Sequence, residues 1–327
     1  MTSNLILVEG TIPTVERFKT GLWSLDHALG QNGMWGAPLR SIYEIYGHPH
    51  VGKSSLSYYL AGRVQPTGKI VIADIEGTMD GAYLTSCVGQ SGFHGTIKIV
   101  DYADKKGPRH HEAMMQEAAD ALYDDETVNA SVVDSLGMIQ PIMEREGDLE
   151  EAFVGRRALI VAKWARRASA WLRSASRGKA TFVVNHVNPI IGGRGHVTPG
   201  GQALKYAASV RLMMYRAETL DETDGTFLAE CKIEKLRYGG VAKERKGLVV
   251  IIPGIGISPL LTSMFDCITL GLAKREASIK AMVRGEWTSV GRIGSLLEAA
   301  RNGDTGRFDV FREMLDMKDM TPGAENG

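Results

Sequence analysis

The sequence predicts an α/β fold: a mostly parallel central sheet covered on both faces by helices, followed by a small α-rich C-terminal domain. Three observations carry that expectation. Short apolar runs rich in β-branched residues alternate with helical stretches, the pattern of a parallel sheet. One run leads straight into Gly47-His-Pro-His-Val-Gly52-Lys53-Ser54, which fits GxxxxGK[ST] in its required setting between a strand and a helix. Two further runs end in carboxylates, one in Asp134 and the other in Asp74 and Glu76.

Ser41 to Tyr46 alternates and is rich in β-formers, so it reads as the strand that feeds the glycine motif, and Ser54 to Val64 reads as the helix that leaves it. Further strands are expected at 70–73, 131–133, 181–184, 210–214 and 248–252, with helices over 112–123 and 156–176. After Pro259 the strand signals stop, and 260–316 reads as short helices with polar turns. A tail of small and polar residues, 321–327, is expected to be disordered. The expected organisation is a short arm (1–19), a core (20–258) and a small domain with its tail (259–327).

The chain has 327 residues, 44% hydrophobic and 23% charged, which suits a globular protein with a sizeable core. Lys+Arg and Asp+Glu both number 38, so net charge singles out no partner. The three cysteines are far apart and form no CxxC pair, which argues against a zinc ribbon or a disulfide scaffold and for free thiols in a reducing compartment. The N-terminus lacks a basic segment followed by a long apolar one, so no secretory signal is expected. The longest uncharged run, 248–265, is broken by Pro253, Gly254, Gly256 and Pro259 and reads as a strand and turn rather than a membrane span. A cytoplasmic protein without membrane contact is the expectation.

The glycine motif holds phosphate because successive backbone N–H groups and a helix N-terminus can wrap it. Gly47, Val51, Gly52, Lys53, Ser54 and Ser55 are therefore candidate ATP contacts. Lys53 would neutralise the β- and γ-phosphates, and the Ser54 hydroxyl would bind Mg²⁺. Asp134, at the end of an apolar strand, would complete the magnesium shell. Hydrolysis also needs a group that orients or deprotonates the attacking water. Glu76 is the candidate base, while Asp74 could equally cap a turn; if the strand continues, both point to one side and periodicity leaves the choice open.

Charge is distributed unevenly. Between Glu151 and Glu218 there is no acidic residue, yet twelve basic ones occur, among them Arg156, Arg157, Lys163, Arg166, Arg167, Arg173, Arg177, Lys179 and Arg211. A polyanion is the natural partner of such a block, since each neutralised phosphate releases counterions. The competing reading is a solvated helix face that pairs with the acidic run 144–151. A glycine-rich basic loop, 190–201, follows a strand inside the block and would lie where such sheets bind ligands.

Taken together, these residues resemble the RecA family of DNA recombinases over most of the chain. Thr20-Gly-Leu-Trp-Ser-Leu-Asp-His-Ala-Leu-Gly30 is similar to the family's opening segment, and Glu44-Ile-Tyr-Gly47 precedes the phosphate loop as it does there. Asp74-Ile-Glu76-Gly-Thr-Met-Asp80-Gly-Ala-Tyr83 resembles a motif in which Glu76 falls on the catalytic glutamate, Tyr83 on the adenine-stacking residue and Asp80 on a contact to the base edge. Val132-Val-Asp134-Ser135 resembles the family's second acidic motif, and residues from Glu146 resemble the first DNA-binding loop.

Asn185-His186 takes the place of an Asn-Gln pair whose second member senses γ-phosphate and begins the second DNA-binding loop. The resemblance assigns DNA contacts to Arg156, Arg157, Arg166, Ile190, Ile191, Arg194, Gly200, Gly201 and Gln202, with Ile191 as the wedge between base triplets. It makes Lys235 and Arg237 the cations that reach a neighbour's γ-phosphate. Gly285-Glu-Trp287 resembles part of a C-terminal domain that helps capture duplex DNA, with a plain core anchor as the alternative for Trp287. His48 and His50 read as variable loop positions. Only about twenty residues precede Thr20, so the family's N-terminal polymerisation helix is expected to be missing, and the second DNA loop is shorter.

The function implied is an ATP-dependent DNA recombinase. It would bind single-stranded DNA as a filament, capture duplex DNA, exchange strands and hydrolyse ATP with Mg²⁺. Rival readings are a RecA-like accessory or regulatory ATPase, a ring-forming helicase motor, and, further off, a small-molecule kinase.

Overall fold

The computed structural model describes residues 15–31, 34–105, 107–141, 155–189, 196–238 and 245–319. Its central sheet has nine strands: β1 (Ser41–Gly47), β2 (Lys69–Asp74), β3 (Thr96–Ile99), β4 (Val128–Asp134), β5 (Ala180–His186), β6 (Val210–Thr219), β7 (Phe227–Leu236), β8 (Lys246–Ile252) and β9 (Gly256–Ile257). They lie in the order β9-β8-β7-β6-β1-β5-β4-β2-β3. The six from β6 to β3 are parallel, and β7, β8 and β9 extend the sheet antiparallel.

Alternation of side chains across each strand divides the interior into two layers. Tyr43, Ile45, Ile70, Ile72, Ala130, Val132 and Phe182 face α1 (Trp23–Leu29), α2 (Lys53–Val64) and α3 (Gly81–Gly89). Ile42, Val71, Ala73, Val133 and Val183 face α4 (His111–Asp124), α5 (Arg156–Ser174) and α6 (Gly201–Ala207). Helix α5 forms because Val161, Trp164, Ala165, Ala168 and Leu172 recur at helical spacing and bury one stripe, leaving Lys163, Arg166, Arg167 and Arg173 on the other. In the first layer Phe182 is fully buried, stacked on Tyr43 at 4.9 Å and edge-on to Phe18 at 6.5 Å.

After Pro259 come α7 (Pro259–Thr269), a three-stranded antiparallel sheet of β10 (Ala273–Arg275), β11 (Ile279–Val283) and β12 (Glu286–Gly291), then α8 (Ile293–Arg301) and α9 (Asp309–Asp319). The helices agree with the sequence expectation and the strands correct it. Each strand is only three to six residues long and includes a charged residue, so none makes a long apolar run. Arg284 and Gly285, both with positive φ, close the tight turn between β11 and β12. This region packs on β7 and β8 through Leu228, Leu248, Val250 and Ile252. The edge strand β3 and the long β7 were likewise not expected. In β7 the half-buried Glu230 and the exposed Lys232 and Glu234 break up the apolar run after Ala229, although the alternation is there.

Two polar contacts tie the C-terminal helices to α1. The Trp23 indole N–H donates to Asp319 Oδ1 at 2.8 Å, and His27 Nε2 lies 3.0 Å from the same oxygen. The His27 ring sits between Trp23 at 3.7 Å and Trp35 at 4.1 Å. On α7, Asp266 accepts from the Ser24 backbone N–H at 3.3 Å, and its other oxygen is buried without a hydrogen-bond partner. Burial pushes its carboxyl up to about 7.

Two outcomes follow from this packing. Phe182→Ala, which empties a stacked aromatic site, is expected to lower unfolding free energy by about 3–5 kcal/mol in a denaturant titration. Asp266 is harder to ionise when folded, so its contribution is fully present below the unfolded carboxylate pKa and is lost as pH rises toward 7. Asp266→Asn should therefore flatten the fall in stability between pH 5 and 8, by at most about 1 kcal/mol per pH unit; an unchanged slope would show that Asp266 is not its source.

Candidate functional site

The ends of β1, β2, β4 and β5 meet at one edge of the sheet because their register is fixed: Gly47 pairs with His186, and Asp74 with Asp134. The loop after β1 turns into α2 at Gly52, whose φ of 84° suits glycine and whose Cα is so close to Ile251 that a β-carbon would collide with it. Gly47 and Val51 are buried, and Ser54 and Ser55 begin the helix. Lys53 is 6% exposed, and its ammonium donates to the His48 carbonyl at 2.7 Å. Burial lowers its pKa, opposed by the Asp134 and Glu76 charges.

Asp134 ends β4, and the peptide that follows it is cis. Its Oδ2 accepts from the Tyr58 hydroxyl at 2.8 Å, whereas Oδ1 is buried with no hydrogen-bond partner among the described residues. Burial pushes this carboxyl up to about 6, against the lowering pull of the Ser54 and Tyr58 hydroxyls. An unsatisfied buried carboxylate oxygen beside a serine hydroxyl fits a hard cation that keeps waters and phosphate oxygens as its other ligands, as magnesium does. Among the described residues no cluster of three or more His, Cys, Asp or Glu could hold a metal ion.

The structure separates the two carboxylates that periodicity left together. β2 stops at Asp74, whose oxygens accept from the Gly77 and Met79 backbone N–H groups at 2.9 and 3.0 Å and from the Tyr102 hydroxyl. Asp74 is a turn cap. Glu76 is exposed and lines a cavity of about 620 Å³ together with Lys53, Ser54, Ser55, Tyr83 and His186. His186 Nε2 lies 3.1 Å from Ser135 Oγ, and burial followed by the Lys53 charge lowers its pKa. Tyr83 bonds Ser55 hydroxyl to hydroxyl at 2.5 Å, and Asp80 caps α3 by accepting from the Tyr83 N–H at 2.7 Å.

The cavity's far wall was not foreseen. It is built from Phe227, Ile251, Pro253 and Gly254 on the antiparallel strands and their turn, with His50 at the mouth. Tyr58, the partner of Asp134, also escaped notice, although its place four residues after Ser54 puts it on the same side of α2.

Lys235 and Arg237 do not line this cavity in their own chain. Lys235 Nζ donates to the Lys205 and Tyr206 carbonyls at 2.5 and 3.0 Å, and Arg237 donates to Tyr206 at 2.5 Å, so both hold the end of α6. Gly200 and Gly201, with φ of 97° and 73°, begin α6 where β-carbons would press Val161 and Ala158 of α5. Gln202 is exposed on α6. Arg156, Arg157 and Arg166 are exposed on α5. Ile190, Ile191 and Arg194, and the first DNA-binding loop from Glu146, lie outside the described residues.

The basic block is less uniform than its sequence implies. Arg167 pairs with both oxygens of Asp120 on α4 through its Nε and Nη2, and Lys179 is buried against the Leu122 and Asp125 carbonyls at 2.7 and 2.9 Å. Arg211 bonds the buried Glu44, and Arg216 lies 4.5 Å over the Phe227 ring. These cations are structural. Lys163, Arg166, Arg173 and Arg177 remain exposed, with no ion pair among the described residues.

Residues 2–258 match the family described as the RecA N-terminal domain. The chain is 28% identical over 309 residues to Protein RecA of Lactiplantibacillus pentosus, covering 92% of this chain and 75% of that protein. It is 28% identical over 294 residues to Protein RecA of Gloeobacter violaceus, covering 88% and 73%. With Protein RecA of Frankia casuarinae it shares 30% identity over 277 residues, covering 84% and 71%. The phosphate loop, Glu76 and His186 line one cavity in a chain matched from residue 2 to 258, and the chain belongs to the RecA family.

Proposed function

We propose that this chain is an ATP-dependent DNA recombinase in which nucleotide held at the β1–β2–β4–β5 edge controls the grip on single-stranded DNA. As a RecA family member it is a P-loop ATPase that uses ATP with magnesium, binds DNA and self-associates. The observation that carries the mechanism is the convergence of Lys53, Ser54, Glu76 and His186 on one cavity, with Asp134 behind it.

In this reading the backbone N–H groups at the start of α2 receive the phosphates, and Lys53 leaves the His48 carbonyl to neutralise them. Ser54 and Asp134 hold the magnesium, which supplies charge neutralisation on the phosphate oxygens when bound. Glu76, exposed and unattached, orients or deprotonates the attacking water. Tyr83 and Asp80 face the base, and His186 offers an imidazole N–H to the γ-phosphate. Lys235 and Arg237, absent from their own cavity, reach that of a neighbouring copy. The exposed cations of α5 and the loop with Ile190, Ile191 and Arg194 hold the DNA backbone and bases, while base pairing reads sequence. Among the described residues no helix is long and apolar enough to cross a membrane.

Electron microscopy with an ATP analogue and single-stranded DNA tests the assembly: helical filaments support the recombinase reading, closed rings overturn it. Lys53→Ala is expected to weaken ATP binding roughly a hundredfold and to bring DNA affinity down to its ATP-free level. Glu76→Gln should lower kcat by at least about a hundredfold while ATP still binds; unchanged turnover would remove Glu76 from the mechanism. Ile191→Ser should impair strand exchange more than ATP binding in a joint-molecule assay, and equal loss of both would make that loop structural.

A further inference from the structure

Three adjacent strands of the sheet share a buried ion pair that none of the roles above uses. Glu44 on β1 is fully buried, and its Oε2 accepts from Arg211 Nε on β6 at 2.5 Å. The Arg211 guanidinium lies 4.6 Å over the Tyr46 ring. A carboxylate in that position is tolerable only because it is paired and hydrogen-bonded. Apolar residues of similar volume often serve stability as well as a buried ion pair does, so the pair is weak evidence of a purely stabilising role in the middle of a parallel sheet.

The third partner shows what the pair holds. On β5, Asn185 Nδ2 donates to Glu44 Oε1 at 2.9 Å and to the Pro199 carbonyl at 2.8 Å, while its Oδ1 accepts from the His186 backbone N–H at 2.9 Å. Both donors and the acceptor of one amide are thus engaged, and its orientation is fixed. Through it, the strand that delivers the phosphate loop touches the residue facing the γ-phosphate position and the turn that starts α6. Helix α6 in turn presents the Lys205 and Tyr206 carbonyls that hold Lys235 and Arg237. The described legs of the intervening segment, Asn188–Pro189 and His196–Val197, pair with each other, which closes the same unit.

We propose that Asn185, held against the Glu44–Arg211 ion pair, is the positioning residue that makes His186, the Pro199 turn, α6 and the Lys235–Arg237 pair move as one body when nucleotide binds. The proposal rests on the coupling of ATP to DNA grip described above. A ligand shifts an equilibrium only by its differential contact with two states, and His186 is the contact. Without the amide, His186 would lose its hydrogen-bonded bridge through Asn185 to the Pro199 turn that starts α6, and with it the route by which a displacement is passed on.

The test compares wild type with Asn185→Ala, Glu44→Gln and Arg211→Lys, measuring binding of an ATP analogue, single-stranded DNA affinity with and without it, and thermal midpoint. In Asn185→Ala and Glu44→Gln the gain in DNA affinity conferred by the analogue should fall at least about tenfold, while analogue binding changes less than about threefold. Arg211→Lys, which keeps the charge on Glu44, should retain most of the gain. A full gain in either of the first two variants overturns the proposal. So does a parallel loss of analogue binding and gain, since that marks a merely structural residue. If Asn185→Ala does not fold, Glu44→Gln decides by the same criteria. A wild-type protein without any analogue-dependent gain would overturn the coupling itself, a result distinct from failure of the relay.

Discussion

Everything at the site depends on strand register. Gly47 opposite His186 and Asp74 opposite Asp134 are backbone pairings, and a slip of one residue would turn each functional side chain to the other face of the sheet. That register is secured by burial on both faces, since parallel strands need crossover connections and these lay helices against each side. The two apolar layers therefore do more than stabilise the chain. They determine that the phosphate loop, Asp134 and His186 finish at the same edge, within reach of one cavity.

Local chemistry dominates what the sequence discloses. The phosphate loop was legible because glycine, lysine and serine at that spacing encode backbone geometry and charge in eight consecutive residues. Asp74 and Glu76 could not be told apart because the alternation argument assumed that β2 continues, whereas it ends where the Asp74 carboxylate turns to cap Gly77 and Met79. Strand β7 was hidden by the charges of Glu230, Lys232 and Glu234 at alternate positions of its second half, and β10 to β12 by their shortness. The cavity wall from Phe227, Ile251 and Pro253 had no local signal at all, since it forms only when the antiparallel strands fold back beside β1.

The basic block makes the same point for electrostatics. A stretch of sequence without acids suggests a free cationic surface, yet Arg167 finds Asp120 forty-seven residues away, and Arg211 finds Glu44 across 167 residues. Charge density along a chain is thus a poor guide to charge density in space. Of the cations that stay available, Lys163, Arg166 and Arg173 lie on the outer stripe of α5, where helical spacing of the buried residues puts them.

One contact at the far end has a mechanical meaning. Asp319, at the end of α9, grips Trp23 and His27 in α1, so these two helices form a single strut beside the sheet. Tension applied at α9 would reach the sheet by two routes, through that carboxylate to α1 and through the packing of α9 on α7, and both lead into β8 rather than into the strand that carries the phosphate loop.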